Sequence, residues 1–108
     1  MGVFPNPVGV VERQRVPSFS LLQNTPNPFN PSTTIRFTLP EASPVRLAVY
    51  DINGRLVRTL LGQTLPSGHH SVVWDGRDAI GREVASGVYV YRLTAPQGVV
   101  TKRMTLLR

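Results

Sequence analysis

The chain has 108 residues, a formal charge of +6, a pI near 11.1 and no cysteine. That length suits one domain with one core. The absence of cysteine excludes disulfides, thiolate zinc sites and cysteine nucleophiles, and no apolar run reaches the ~18 residues of a membrane-spanning helix.

Ten prolines and nine glycines argue against long helices, and no stretch sustains a 3.6-residue period. Turn signals recur about every 8–12 residues, which predicts a sandwich or barrel. The basic residues are all arginine except Lys102, and they are scattered with no basic run. This distribution predicts solvated sheet faces and no nucleic-acid partner; the domain is expected to be a monomer.

Met1 to Pro17 has little core-forming pattern and three prolines, and is expected to be a linker leading out of an upstream domain. It lacks the basic and apolar regions of a signal peptide. The folded domain is expected over residues 18–108, with a short strand at Ser18 to Gln23. Pro26, Pro28 and Pro31 then fix φ, remove donors and keep their predecessors out of the helical region, so Thr25 to Pro31 is a rigid turn. From Thr33 to Leu39 the pattern alternates, with Ile35, Phe37 and Leu39 on the dry face of a strand.

A turn at Pro40 to Pro44 leads into a third strand, Val45 to Asp51, which points Val45, Leu47 and Val49 inward. Asp51-Ile52-Asn53-Gly54 is a strong hairpin signal, read as a type I′ turn centred on Asn53-Gly54. Leu56 to Leu61 should fold back antiparallel, followed by a looser loop over Gly62 to Gly68. His69 to Asp75 forms the fifth strand, with Val72 and Trp74 inward.

Asp75 to Gly87 is the longest connection. In Gly87 to Ala95, Arg92 marks the wet face, so Tyr89, Tyr91 and Leu93 point inward. Gly87-x-Tyr89 matches the placement of a tyrosine corner. In the final strand, Val99 to Leu107, Lys102 shares a face with Val100, Met104 and Leu106, a conflict that a β-bulge would resolve. About seven antiparallel strands predict an all-β, Ig-like sandwich with Trp74 at its centre.

Little in the chain suggests chemistry. His69 and His70 point to opposite faces of a strand and cannot share a metal. Ser86 lies in a turn, not a nucleophile elbow, and nothing would orient a triad of Ser71, His69 and Asp75. Asp75, Asp78 and Glu83 crowd one loop and are weak candidates for calcium. Arg77 and Arg82 among them favour Asx turns and ion pairs. No glycine-rich phosphate loop joins a strand to a helix, so neither a cofactor nor an enzymatic activity is expected.

Several segments carry a family resemblance in order. They are N-P-F-N-P-S-T-T-I-x-F-x-L-P within Asn27 to Pro40, V-x-L-x-V-Y-D-x-x-G-R-x-V-R-x-L from Val45 to Leu60, G-x-H-x-V-x-W-D-G-R-D-x-x-G from Gly68 to Gly81, and V-A-S-G-V-Y-x-Y-R-L from Val84 to Leu93, closing on K-R-M-x-L-L-R. Together they resemble the C-terminal sorting domains of the type IX secretion system, relatives of the Ig-like domain of flagellar hook-capping proteins. The K-x-x-x-x-x-R ending favours the sorting family.

The resemblance implies a non-catalytic domain that carries a fused hydrolase or adhesin across the outer membrane of a Gram-negative bacterium to the cell surface. Its implied partners are the secretion machinery, a sortase-like peptidase and anionic lipopolysaccharide. It implies recognition through Gly87, Tyr89, Lys102, Met104, Leu106, Leu107 and Arg108, with edge-to-edge pairing of the last strand as the expected mechanism. The alternatives are an Ig-like spacer or assembly module of the hook-cap kind and, with few aromatics free of the core, a carbohydrate-binding accessory domain.

Overall fold

The computed structural model describes residues 18–108; the expected linker over 1–17 lies outside the described residues. Seven strands run β1 (Ser20–Leu21), β2 (Thr33–Leu39), β3 (Ser43–Asp51), β4 (Leu56–Leu65), β5 (Gly68–Trp74), β6 (Gly87–Ala95) and β7 (Gly98–Leu106). They form a three-stranded sheet, β1-β2-β5, and a four-stranded sheet, β4-β3-β6-β7, with every pairing antiparallel. This is the Ig-like sandwich that the alternating pattern implies.

Period-two alternation sorts the two faces. In β6, Tyr91 and Leu93 are fully buried and Tyr89 nearly so, while Val88 and Arg92 are exposed. Ile35, Phe37 and Leu39 of β2 meet Leu47 and Val49 of β3 in the same core. Trp74, expected at the centre, is fully buried but closes one end of that core, because Thr33↔Trp74 is the last pair of the β2–β5 register. Its ring is edge-on to Tyr89, with centroids 5.4 Å apart, and tilted against Phe29 at 5.7 Å. Its Nε1–H donates to the Arg77 carbonyl at 2.9 Å, so the largest core residue buries no orphaned donor.

Four sequence expectations need correction. First, β1 is only two residues long: Leu22 N–H still donates to the Arg36 carbonyl of β2 at 2.9 Å, but the Leu22 carbonyl and the Asn24 N–H then bond to Tyr91 Oη of the other sheet, which interrupts the ladder until Thr25. Second, Gly62 to Leu65 is strand, not loop. It pairs with Ser43 to Arg46, and the chain then crosses between sheets over Pro66-Ser67.

Third, the Asp51 hairpin is not centred on Asn53-Gly54. Gly54 N–H donates to the Asp51 carbonyl at 3.0 Å, so Ile52 and Asn53 are the central residues. Gly54, at φ 85°, takes the left-handed position of a three-residue loop. Fourth, the β6–β7 register is unbroken from Gly87↔Leu106 to Ala95↔Gly98, so no bulge relieves Lys102. Lys102 is half-buried on an edge strand, where a lysine lays its stem on the core and carries its ammonium to water. The register shifts fall instead between β3 and β4.

The proline turn stitches the two sheets together. Thr25 exchanges backbone hydrogen bonds with Thr34, at 2.9 and 2.8 Å. Four residues on, Phe29 forms a parallel bridge with Leu106. Its N–H donates to the Thr105 carbonyl and its carbonyl accepts from Leu107 N–H, both at 3.0 Å. A buried polar knot fixes the entry to this turn. Asn24 Nδ2 donates to Thr33 Oγ1 at 2.9 Å, and that hydroxyl donates to the Pro26 carbonyl at 2.8 Å.

Candidate functional site

The residues expected to mediate recognition converge on paired β6 and β7. Gly87 lies opposite Leu106, Tyr89 opposite Met104 and Tyr91 opposite Lys102. Tyr89, Met104 and Leu106 are core side chains, whereas Leu107 is exposed. Tyr89 Oη donates to the Ala85 carbonyl at 2.6 Å, four residues upstream, which is the bond that defines a tyrosine corner.

The outer edge of β7 is half occupied. Thr105 turns both its N–H and its carbonyl away from β6, to Asn27 Oδ1 at 2.9 Å and to Phe29 N–H. Gln23 Nε2 donates to the Arg103 carbonyl at 2.7 Å. Alternation along a strand gives Val99 and Thr101 the same outward-facing backbone groups. Among the described residues, the edge groups left open therefore lie toward the Gly98 end of β7, because the proline turn covers the Leu106 end.

Arg108 closes the loop that follows β5. Its backbone N–H donates to Ser86 Oγ at 2.8 Å, its Nε to the Val84 carbonyl at 2.6 Å and its Nη2 to the Gly76 carbonyl at 2.5 Å. Glu83 stands 3.7 Å from its guanidinium. Gly76 is required here. Its φ is 74°, and an added Cβ would lie 2.8 Å from the Arg108 guanidinium and 3.0 Å from the Pro31 carbonyl. Arg108→Ala should lower stability by about 1–2 kcal/mol through the lost hydrogen bonds. Amide exchange should quicken over residues 76–86 and stay unchanged in β2 and β3.

The carboxylates of the 75–87 loop are engaged by its own chain. Asp75 meets Arg58 at 3.3 Å and Glu83 meets Arg77 at 3.5 Å. Asp78 Oδ1 accepts from the N–H groups of Ile80 and Arg82 at 3.1 and 2.9 Å. Among the described residues no three acidic or histidine side chains converge as a metal site. His70 stacks on Phe37, with centroids 5.3 Å apart, while its neighbour His69 is exposed.

Two turns prove to be copies of one device. Asp51-Ile52-Asn53-Gly54-Arg55 and Asp78-Ala79-Ile80-Gly81-Arg82 each place a glycine at positive φ, 85° and 88°. In each, the aspartate carboxylate accepts the N–H groups two and four residues on, and its backbone N–H donates to the arginine carbonyl. In each, the arginine closes an ion pair onto the same carboxylate, at 3.0 and 3.6 Å. The turns face each other across a groove of about 500 Å³, floored by Leu56, Val57 and Val84. Their shared D-x-x-G-R spacing was present in the sequence, but the second copy was hidden in a loop without flanking alternation.

These bonds hold both aspartates below the usual carboxylate range. The backbone N–H of Arg55 is the largest cause at Asp51, and that of Arg82 at Asp78. A depressed carboxylate contributes stability above its unfolded pKa of about 3.9, and that contribution is lost as pH falls through the folded value. Both turns should therefore loosen together below about pH 4. Asp78→Asn should abolish the acid response of the 78–82 turn alone, as read by amide chemical shifts.

Within this frame, residues 26–98 match the FlgD Ig-like domain family model. The chain belongs to the FlgD Ig-like domain family. Over 57 residues it is 39% identical to the basal-body rod modification protein FlgD of Salmonella typhimurium, covering 53% of this chain and 25% of that protein. The chain thus spans about a quarter of the length of the curated relatives it matches.

Among solved structures, PorZ of Porphyromonas gingivalis, a surface component of the type IX secretion system, superposes with a TM-score of 0.56 at 26% identity, over 84% of this chain and 12% of PorZ. Latent PorU of the same organism superposes at 0.67 and 24% identity, over 85% of this chain and 10% of PorU, a likeness of fold.

Proposed function

We propose that this domain is a non-catalytic assembly module, a rigid sandwich that a larger protein uses to dock onto its neighbours in the bacterial cell envelope. The observation that carries this reading is the family match over 26–98, supported by the 39% identity to FlgD. The geometry is consistent with it. The loops are pinned by their own chain, through Arg108, the tyrosine corner and the paired D-x-x-G-R turns, so the surface is preorganised for contact.

A second reading, a sorting module for the type IX secretion system, is favoured by the likeness to PorZ and by the ordered motifs ending at Arg108. In that case the module accompanies a fused cargo to the cell surface, and the secretion machinery, a sortase-like peptidase and anionic lipopolysaccharide are its partners.

Excision of residues 18–108 from the parent protein in its own host separates the two. As an assembly module, the domain is dispensable for reaching the compartment and needed for incorporation into the assembly. A truncated parent stranded in the periplasm would favour sorting instead.

A further inference from the structure

The strands of this domain are almost free of negative charge. Asp51, at the end of β3, is the one carboxylate in all seven. Five arginines, 55, 58, 77, 82 and 108, meet carboxylates in the turns. Three others, Arg46, Arg92 and Arg103, lie on the outer face of the four-stranded sheet, and among the described residues no carboxylate pairs with them.

Register places these three in a diagonal row. Ala48 pairs with Arg92, so Arg46 of β3 is the diagonal neighbour of Arg92 on β6. Val90 pairs with Arg103, so Arg92 is in turn the diagonal neighbour of Arg103 on β7. Diagonal neighbours stand about 7–8 Å apart, and like charges on adjacent strands repel.

The row is also held in place. Arg92 stacks on the Tyr50 ring with its guanidinium carbon 4.7 Å from the centroid. Arg46 donates to Tyr50 Oη at 2.9 Å and to Thr59 Oγ1 at 3.2 Å. Beside the row, Ile52, Val88, Val90 and Arg103 line a shallow apolar groove of about 390 Å³.

We propose that this face docks an extended acidic segment of a partner protein, with carboxylates at alternate positions and an apolar side chain in the groove. Charge complementarity selects the acid. In an extended chain, residues two apart are about 6.6–6.8 Å apart, close to the step of the arginine row, and each guanidinium suits a carboxylate. The apolar groove offers nothing to a phosphate or sugar, and Arg92 already covers the one aromatic face on which a base would stack. The proposal rests on the reading of the chain as a docking module. An inert face would show no peptide binding whatever the excision experiment gave, so the two failures are distinguishable.

The test is an amide chemical-shift titration of the full chain with the acetylated, amidated pentapeptide Glu-Leu-Glu-Val-Glu. Saturable shifts are expected around Arg46, Val90, Arg92 and Arg103, weakening with salt and absent with the Gln-Leu-Gln-Val-Gln analogue. The double variant Arg92→Gln, Arg103→Gln should bind at least tenfold more weakly, whereas Arg36→Gln on the opposite sheet should bind as the parent does. Thr101→Glu, which sets a carboxylate opposite Arg92, should weaken binding in the same way and covers the case in which the double variant is misfolded. Undiminished binding by the folded variants, no saturable shift, or oligothymidine or polyphosphate moving these amides where the peptide does not would each overturn the proposal.

Discussion

Trp74→Ala should cost about 3–5 kcal/mol, a large share of the roughly 5–15 kcal/mol available to a domain. The ring is fully buried and wedged between Phe29 of the proline turn and Tyr89 of the tyrosine corner. Its removal empties the place where the turn, the 75–87 loop and β6 meet. It also orphans the Arg77 carbonyl that accepts from Nε1. Trp74→Phe keeps the aromatic packing but not that bond, and should lose less. Urea unfolding followed by circular dichroism measures both, since Trp74 is the only tryptophan and its fluorescence disappears with it. A loss below about 1 kcal/mol, the level of many surface substitutions, would show that this end of the sandwich is not a cooperative part of the core.

Tyr91→Phe should be costly for a different reason, since it leaves the volume almost unchanged. Tyr91 Oη accepts the buried N–H of Asn24 at 2.8 Å and donates to the Leu22 carbonyl at 2.7 Å. One hydroxyl thus ties β6 to the segment joining β1 to the proline turn. Without it the Asn24 N–H is left without a partner, a cost of about 1–3 kcal/mol. Thermal unfolding of the variant and parent measures it.

The same tyrosine gives the pH dependence. Burial pushes the phenols of both Tyr89 and Tyr91 up, the largest cause at each. A group with a raised folded pKa contributes stability that is complete below the unfolded value of about 10 and is lost as pH rises through the folded one. Alkaline unfolding should therefore set in above about pH 10, and Tyr91→Phe should blunt it.

Period-two patterning was legible for β2, β3 and β6 because each has one wet face marked by arginine or threonine. It was not legible for Gly62 to Leu65, where glycine and polar residues suggested a loop while backbone pairing to Ser43–Arg46 made a strand. Lys102 misled for a related reason. A charged residue on a core-facing position implied a bulge, but an edge strand allows the stem to lie on the core without one.

The Asp51 turn was correctly placed and wrongly typed. Asn-Gly suits two turn geometries, and the aspartate carboxylate on the Asn53 and Arg55 N–H groups accompanies the longer one. The Arg108 contacts span 22 to 32 residues of sequence, a separation that no local pattern encodes. The arginine row needed the registers of three strands before it existed as a feature at all.

The central claim is that the domain serves assembly. Its most direct test is sufficiency for export. A fluorescent reporter carrying a periplasmic signal and fused to Ser18–Arg108 is expressed in a bacterium with type IX machinery, alongside an Arg108→Ala fusion shown to be folded. The assembly reading expects both reporters to remain in the periplasm. Surface display of the parent fusion, lost in the folded Arg108→Ala fusion, would contradict it and establish the segment that follows β7 as part of a sorting signal.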